Sequence, residues 1–190
     1  MLKAGHVYKR FTLSGGREVT LRVLRWEDLD GILLFINSLV KEKLGDSNSG
    51  LYSGFDKKVT REEEAEWLAQ TLVKIEGGEA INAIAEIRGR VIANGEVTRG
   101  KYRDTHRHGH MGLTMISEYR GQGIGHRIIE TLIRESRRAG LRTLEVEFLA
   151  QNETARRSYE KAGFKQAGTI PHKVFRGGRY FDGLIMSKEL

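Results

Sequence analysis

The chain has 190 residues, of which 39% are hydrophobic and 30% charged, with a formal net charge of +7 and no cysteine. That length and balance describe one globular domain with a core of its own. No apolar run reaches the roughly 18 residues of a membrane span, the first residues lack the apolar centre of a secretion signal, and the missing cysteines exclude disulfides, thiolate metal sites and a cysteine nucleophile, so a cytoplasmic chain is expected. The basic excess suits an anionic small-molecule partner. Its charges are interspersed with acids, as in Arg134-Glu-Ser-Arg-Arg138, and no nucleic-acid-binding motif accompanies them.

Residues 18–24 alternate polar and apolar and predict a first strand. Trp26-Glu-Asp opens a helix, with acids in its first turn and an apolar body through Val40. Residues 42–59 are rich in Gly, Ser, Asn, Asp and Lys and read as a loop. Thr60 and Glu63 form a capping box for the next helix, whose Ala65, Leu68, Leu72 and Ile75 share one face. Residues 80–87 and 91–97 predict a hairpin around Gly89, and a further strand covers 108–116.

The helix that follows buries Ile124, Ile128, Leu132 and Ile133 and stops at Gly140. A strand over 144–149, a short helix capped by Asn152, a strand after Gly163-Phe164 and a last strand over 180–186 complete the chain. The order predicts a single α/β domain over residues 1–190, with a mixed, mostly antiparallel sheet of about seven strands flanked by about four helices.

Between the strand ending near Ile116 and the helix starting near Ile124 lies Arg120-Gly-Gln-Gly-Ile-Gly125. Glycine lets a backbone turn tightly and approach an anion with no Cβ in the way, and a helix start offers unpaired N–H groups and the positive end of its dipole. Arg120 and Arg127 flank the turn. The spacing differs from the Gly-x-Gly-x-x-Gly of dinucleotide-binding folds, and the Gly-Lys-Ser/Thr of a Walker loop is absent. What remains, Arg-x-x-Gly-x-Gly, resembles the acetyl-CoA-binding motif of the GNAT superfamily of N-acetyltransferases. A second stretch, Asn152-Glu-Thr-Ala-Arg-Arg-Ser-Tyr-Glu-Lys-Ala-Gly-Phe164, resembles the Asn-x-x-Ala-x-x-x-Tyr-x-x-x-Gly-Phe segment of the same superfamily.

The resemblance implies roles position by position. The backbone of Leu113, Thr114 and Met115 would meet the pantetheine arm and acetyl group. Gly121, Gln122, Gly123, Ile124, Gly125 and His126 would hold the pyrophosphate, with Arg120 or Arg127 in support. Asn152 would bind the pantetheine or acetyl region while capping its helix. Tyr159 matches the tyrosine that faces the cofactor sulfur and would protonate the leaving thiolate. Glu147 matches the position where some peptide-acetylating members place a general base, and Glu96 is a second carboxylate open to that role. Ser117 departs from the proline frequent at its position, which leaves phosphate binding untouched.

His106, His108 and His110 alternate. The outer two would stand about 13 Å apart along a strand, too far to share an ion, so a metal is not expected. The implied function is an acetyl-CoA-dependent transfer of acetyl to a primary amine by direct attack in a ternary complex. Its acceptor is a protein or peptide amine (an N-terminus or a lysine) or a small amine such as an amino acid, polyamine or amino sugar. A non-catalytic acyl-CoA sensor is the competing reading. The superfamily also makes homodimers common.

Overall fold

The computed structural model describes residues 3–52 and 54–190. Eight strands form one sheet: β1 (Val7–Thr12), β2 (Glu18–Arg22), β3 (Ala80–Ile87), β4 (Arg90–Arg99), β5 (His108–Met115), β6 (Thr143–Leu149), β7 (Lys165–Arg176) and β8 (Arg179–Glu189). Their spatial order is β1-β2-β3-β4-β5-β6-β8-β7. Every pairing is antiparallel except β5 with β6. The strand beyond the seven expected is β1. Its Val-Tyr-Lys-Arg-Phe-Thr run shows little alternation because, at the sheet edge, it is half-covered at best.

Four helices flank the sheet: α1 (Leu29–Gly45), α2 (Arg61–Glu76), α3 (Ile124–Arg138) and α4 (Glu153–Lys161). The expected helix from Trp26 to Val40 begins instead as a 3-10 turn, Trp26–Asp28, and α1 runs five residues further, to Gly45. The Thr60–Glu63 capping box forms as the spacing predicts: Glu63 N–H donates to Thr60 Oγ1 at 3.2 Å, and Thr60 N–H to Glu63 Oε2 at 2.8 Å.

β3 and β4 are buried on both faces, with α3 on one side and α1 and α2 on the other. That double cover explains why β3, Ala-Ile-Asn-Ala-Ile-Ala-Glu-Ile, is apolar throughout rather than alternating. α3 buries Ile124, Ile128, Leu132 and Ile133. Arg22, itself buried, ties the entry to α1 to the sheet through two 2.7 Å bonds to Asp28 and a further contact to Glu86.

The feature that positions a site is a break in pairing. β5 and β6 run together only from His108/Thr143 to Met111/Val146. Beyond that point β5 continues beside β4, Gly112 opposite Glu96 and Met115 opposite Ala93. β6 continues beside β8, Glu147 opposite Ile185 and Leu149 opposite Gly183. The two halves of the sheet part there, and one edge of residues 112–115 has no strand partner.

Candidate active site

The glycine turn sits at the mouth of this gap. Gly121 and Gly123 adopt φ +75° and +79°, the left-handed region that glycine enters without strain. A Cβ built on either would meet no protein atom within 4 Å, so the space in front of the turn is open. Gly123 is the N-cap of α3, and neither a side-chain cap nor an acid occupies the first turn. The first bond closing the helix, Arg127 N–H to Gly123 C=O, is 3.3 Å long. The N–H groups of Ile124, Gly125 and His126 precede it and have no partner among the described residues. Gly125 seats the helix on β5: a Cβ there would lie 3.6 Å from Leu113 Cδ2 and from Met115 Cε.

The arginines around the turn differ in what holds them. Arg120 folds back to donate to the Met115 carbonyl at 3.0 and 2.7 Å and grips Glu42 of α1 with two bonds of 2.6 and 2.9 Å. Its charge is thus matched, and it fixes the end of β5 and the start of the turn. Arg127 lies over the Phe11 ring, 4.4 Å from its centroid. Arg17, from the β1–β2 connection, reaches the turn and donates to Gln122 Oε1 at 3.0 Å, over the ring of Tyr119. No described acid pairs with Arg17, so the turn has a cation 105 residues away in sequence that no local pattern announces. His126 contacts Glu130 at 3.3 Å through Nε2, and its Nδ1 is buried without a partner.

On the face of the sheet opposite α3, Glu96 of β4, Gly112 of β5 and Glu147 of β6 project the same way across the gap, as the Thr98–His110–Glu145 register two residues earlier shows. Strand spacing sets β4 and β6 roughly 10 Å apart where both still pair with β5, up to Met111/Val146. Glycine at 112 leaves the middle of the row empty, since a Cβ there would meet nothing within 4 Å. The two carboxylates have unlike surroundings. Glu96 accepts from Thr98 Oγ1 at 3.0 Å through Oε1, whereas its Oε2 is buried with no partner. Burial raises its pKa, against the Thr98 bond and the charge of Lys74. Glu147 is held on both sides, by the Tyr52 hydroxyl at 2.9 Å and by Lys173 Nζ at 3.2 Å.

Tyr159 of α4 is buried between two rings, stacked on Phe148 at 5.5 Å and edge-on to Phe164 at 5.3 Å. Desolvation pushes its phenol well above the ordinary value, so the hydroxyl keeps its proton. Asn152 caps α4, accepting from Ala155 N–H at 3.0 Å, and its Nδ2 donates to the Gly50 carbonyl at 3.0 Å. That second bond pins the loop after α1 beside the gap. Arg176 secures the same loop through the carbonyls of Ser49 and Leu51, at 3.0 and 2.8 Å. The 42–59 segment and the β7–β8 hairpin, separate in sequence, form one wall.

Of the three alternating histidines only His108 and His110 lie on β5, because His106 belongs to the turn before it. Both face Glu145, at 3.9 and 3.6 Å, a carboxylate neighbour that the sequence pattern had not suggested. Among the described residues no group of three or more His, Cys, Asp or Glu side chains has the arrangement to hold a metal ion.

Known proteins share this architecture. A ribosomal-protein-alanine N-acetyltransferase from Brucella melitensis superposes with a TM-score of 0.76 at 24% identity, covering 90% of this chain and 99% of that one. A ribosomal-protein-S5-alanine acetyltransferase from Vibrio fischeri gives 0.79 at 17% identity, over 95% and 96%. A GNAT superfamily phosphinothricin acetyltransferase from Sinorhizobium meliloti, in complex with acetyl-CoA, gives 0.75 at 21%, over 90% and 88%. These likenesses show the fold. The model of the GNAT acetyltransferase family matches residues 45–164, well over half of the sequence and both of its motifs, and the chain therefore belongs to the GNAT family of acetyltransferases.

Proposed function

We propose that this protein binds acetyl-CoA and acetylates a primary amine, with a protein or peptide amine as the acceptor. The observation that carries the reading is the coincidence of two unsatisfied backbone sets at one place: the partnerless edge of residues 112–115 and the free N–H groups of Ile124, Gly125 and His126. Buried or half-buried backbone groups find partners, and a pantetheine amide and a pyrophosphate have the matching chemistry. The open space before Gly121 and Gly123 fits the phosphates. Acetyl-CoA would supply an acyl carbon activated by a thiol leaving group.

The chain's own residues do the rest. Arg17 and Arg127 add positive charge at the turn, while Arg120 acts through position, holding Met115 and the turn in place. Glu96 is the better-placed base of the two carboxylates. Its raised pKa and unpartnered oxygen suit a group that must take a proton from an ammonium, whereas Glu147 already balances Lys173 and the Tyr52 hydroxyl. Glu147 then orients the acceptor wall. Tyr159, kept protonated by burial, serves as hydrogen donor toward the leaving sulfur. With no cysteine in the sequence, an acyl-cysteine intermediate has no nucleophile, which favours direct attack.

A peptide acceptor is favoured by the rim of the gap, where Tyr52, Phe175 and Tyr180 are exposed along the α1–α2 loop and the β7–β8 hairpin. Exposed aromatics give an extended chain purchase that a small amine does not need. The test is release of CoA thiol from acetyl-CoA, which a thiol reagent reads without background from this cysteine-free chain. Peptides with free N-termini or lysines are compared with a pool of amino acids, polyamines and amino sugars. Turnover with the peptides is the expected result. Turnover with the small amines alone overturns the acceptor, and acetyl-CoA binding with no turnover in either pool favours the sensor.

A further inference from the structure

A cavity of about 310 Å³ lies between α2 and the segment that leads into it, apart from the Glu96–Glu147 row, and the proposed transfer reaction makes no use of it. Its walls include Phe55, Val59 and Trp67, and Glu64 lines it from the first turn of α2. Glu64 is only 4% exposed. No described residue hydrogen-bonds to its carboxyl or forms an ion pair with it. Its oxygens keep contact with the cavity space, and a carboxylate on a side chain this covered is ordinarily paired, so this one stands out.

We propose that the cavity is a binding site for an organic ammonium ion, with Glu64 as its counter-ion and the rings of Trp67 and Phe55 as its walls. An aromatic face attracts a cation through its quadrupole, and an adjacent carboxylate adds full charge. The other charged groups facing the cavity are Asp56, Lys57, Lys58 and Glu63. Lys57 is engaged with Glu63 at 3.5 Å, and Glu63 also closes the capping box on Thr60. The segment over the cavity is held from outside by Lys43, which donates to the Phe55 carbonyl at 2.6 Å, and by Asn37, which bonds both backbone groups of Val59. The cavity is therefore a built feature of the fold. With no cation in it, desolvation pushes the Glu64 carboxyl up to about 7. A bound ammonium requires the ionised form, so its affinity rises with pH through that value.

The test uses the full chain with Trp26→Phe, which leaves Trp67 as the only indole, since the sequence has two tryptophans and Trp26 is half-exposed. Trp67 fluorescence is followed on titration with 2-phenylethylammonium, and with 2-phenylethanol as the neutral isostere. The ammonium is expected to give a saturable change at pH 8 and about tenfold weaker binding at pH 6, the ratio of ionised Glu64 at the two values. Glu64→Gln should weaken it at least about tenfold with thermal unfolding still cooperative, while Glu63→Gln leaves it within about twofold. Equal binding of the alcohol, no saturable response, or equal loss in Glu63→Gln and Glu64→Gln would each overturn the proposal. Acetyl-CoA binding, measured separately, tests the transferase reading and is not expected to change in Glu64→Gln.

Discussion

The two sides of the gap are built from different materials. The donor side is backbone: left-handed glycines, the free N–H groups at the start of α3, the open edge of β5 and arginines held in place by Glu42, Gln122 and aromatic rings. The side proposed for the acceptor is side chain: Glu96 with a buried free oxygen, and Glu147 shared between Lys173 and Tyr52. Peptide groups do not titrate, and arginine keeps its proton in proteins, whereas burial raises the pKa of the Glu96 carboxyl. If the proposed assignment holds, affinity for the donor and turnover of the acceptor are governed by separate physics and separate pH dependences.

The sharpest way to break that division is Glu96→Gln. Loss of a general base costs typically 10²–10⁴-fold, so kcat should fall about 10³-fold at pH 7 while the Kd for acetyl-CoA, read by calorimetry, stays unchanged. In the wild type the rate should rise with pH through a value above the ordinary carboxylate range, because the base works only when deprotonated and burial raises its pKa. A comparable loss in Glu147→Gln, with Glu96→Gln active, would exchange their roles. The expected effect at Glu147 is under about tenfold, as for a positioning group.

Next in size is Glu64→Gln on stability. The native pKa of Glu64 lies above its unfolded value, so the folded state binds the extra proton and loses stability as pH rises from about 4.5 to about 7. The variant should match the wild type near pH 4 and exceed it at pH 8 by up to about 3 kcal/mol in urea unfolding. No divergence between the two pH values would show that burial does not raise the Glu64 pKa in the folded chain.

Gly123→Val attacks the other side. A branched residue at φ +79° is strained by about 1–2 kcal/mol, and its side chain fills the open space before the turn. Acetyl-CoA affinity should drop about 100-fold, equivalent to roughly 2.7 kcal/mol, at every pH between 6 and 9. The smallest expected effect is that of Arg17→Ala, about tenfold in the same Kd, shrinking as salt is raised because a half-buried charge still in contact with solvent is screened.

The sequence read locally what local chemistry controls. The capping box at Thr60, the buried stripe of α3, the glycine turn and the Asn152–Phe164 segment are each decided within a dozen residues, where spacing and backbone freedom leave one outcome. β1 escaped notice because an edge strand covered on one side needs no clean alternation. The last five residues of α1 escaped because Lys-Glu-Lys reads as solvated whether helical or not. What only the tertiary structure decided is which charges are spent and which are free. The motif offers Arg120 as support for a pyrophosphate and nothing local marks Arg17, but Glu42, 78 positions from Arg120, matches the charge of the first and Gln122, 105 positions from Arg17, draws the second to the turn. In the same way Glu96 and Glu147 are two strand glutamates until packing gives Lys173 and Tyr52 to one and, to the other, burial with only the Thr98 hydroxyl as a bonded partner. The ionic state of a side chain depends on neighbours and desolvation, both set by contacts between distant segments, and no periodicity along the chain encodes them.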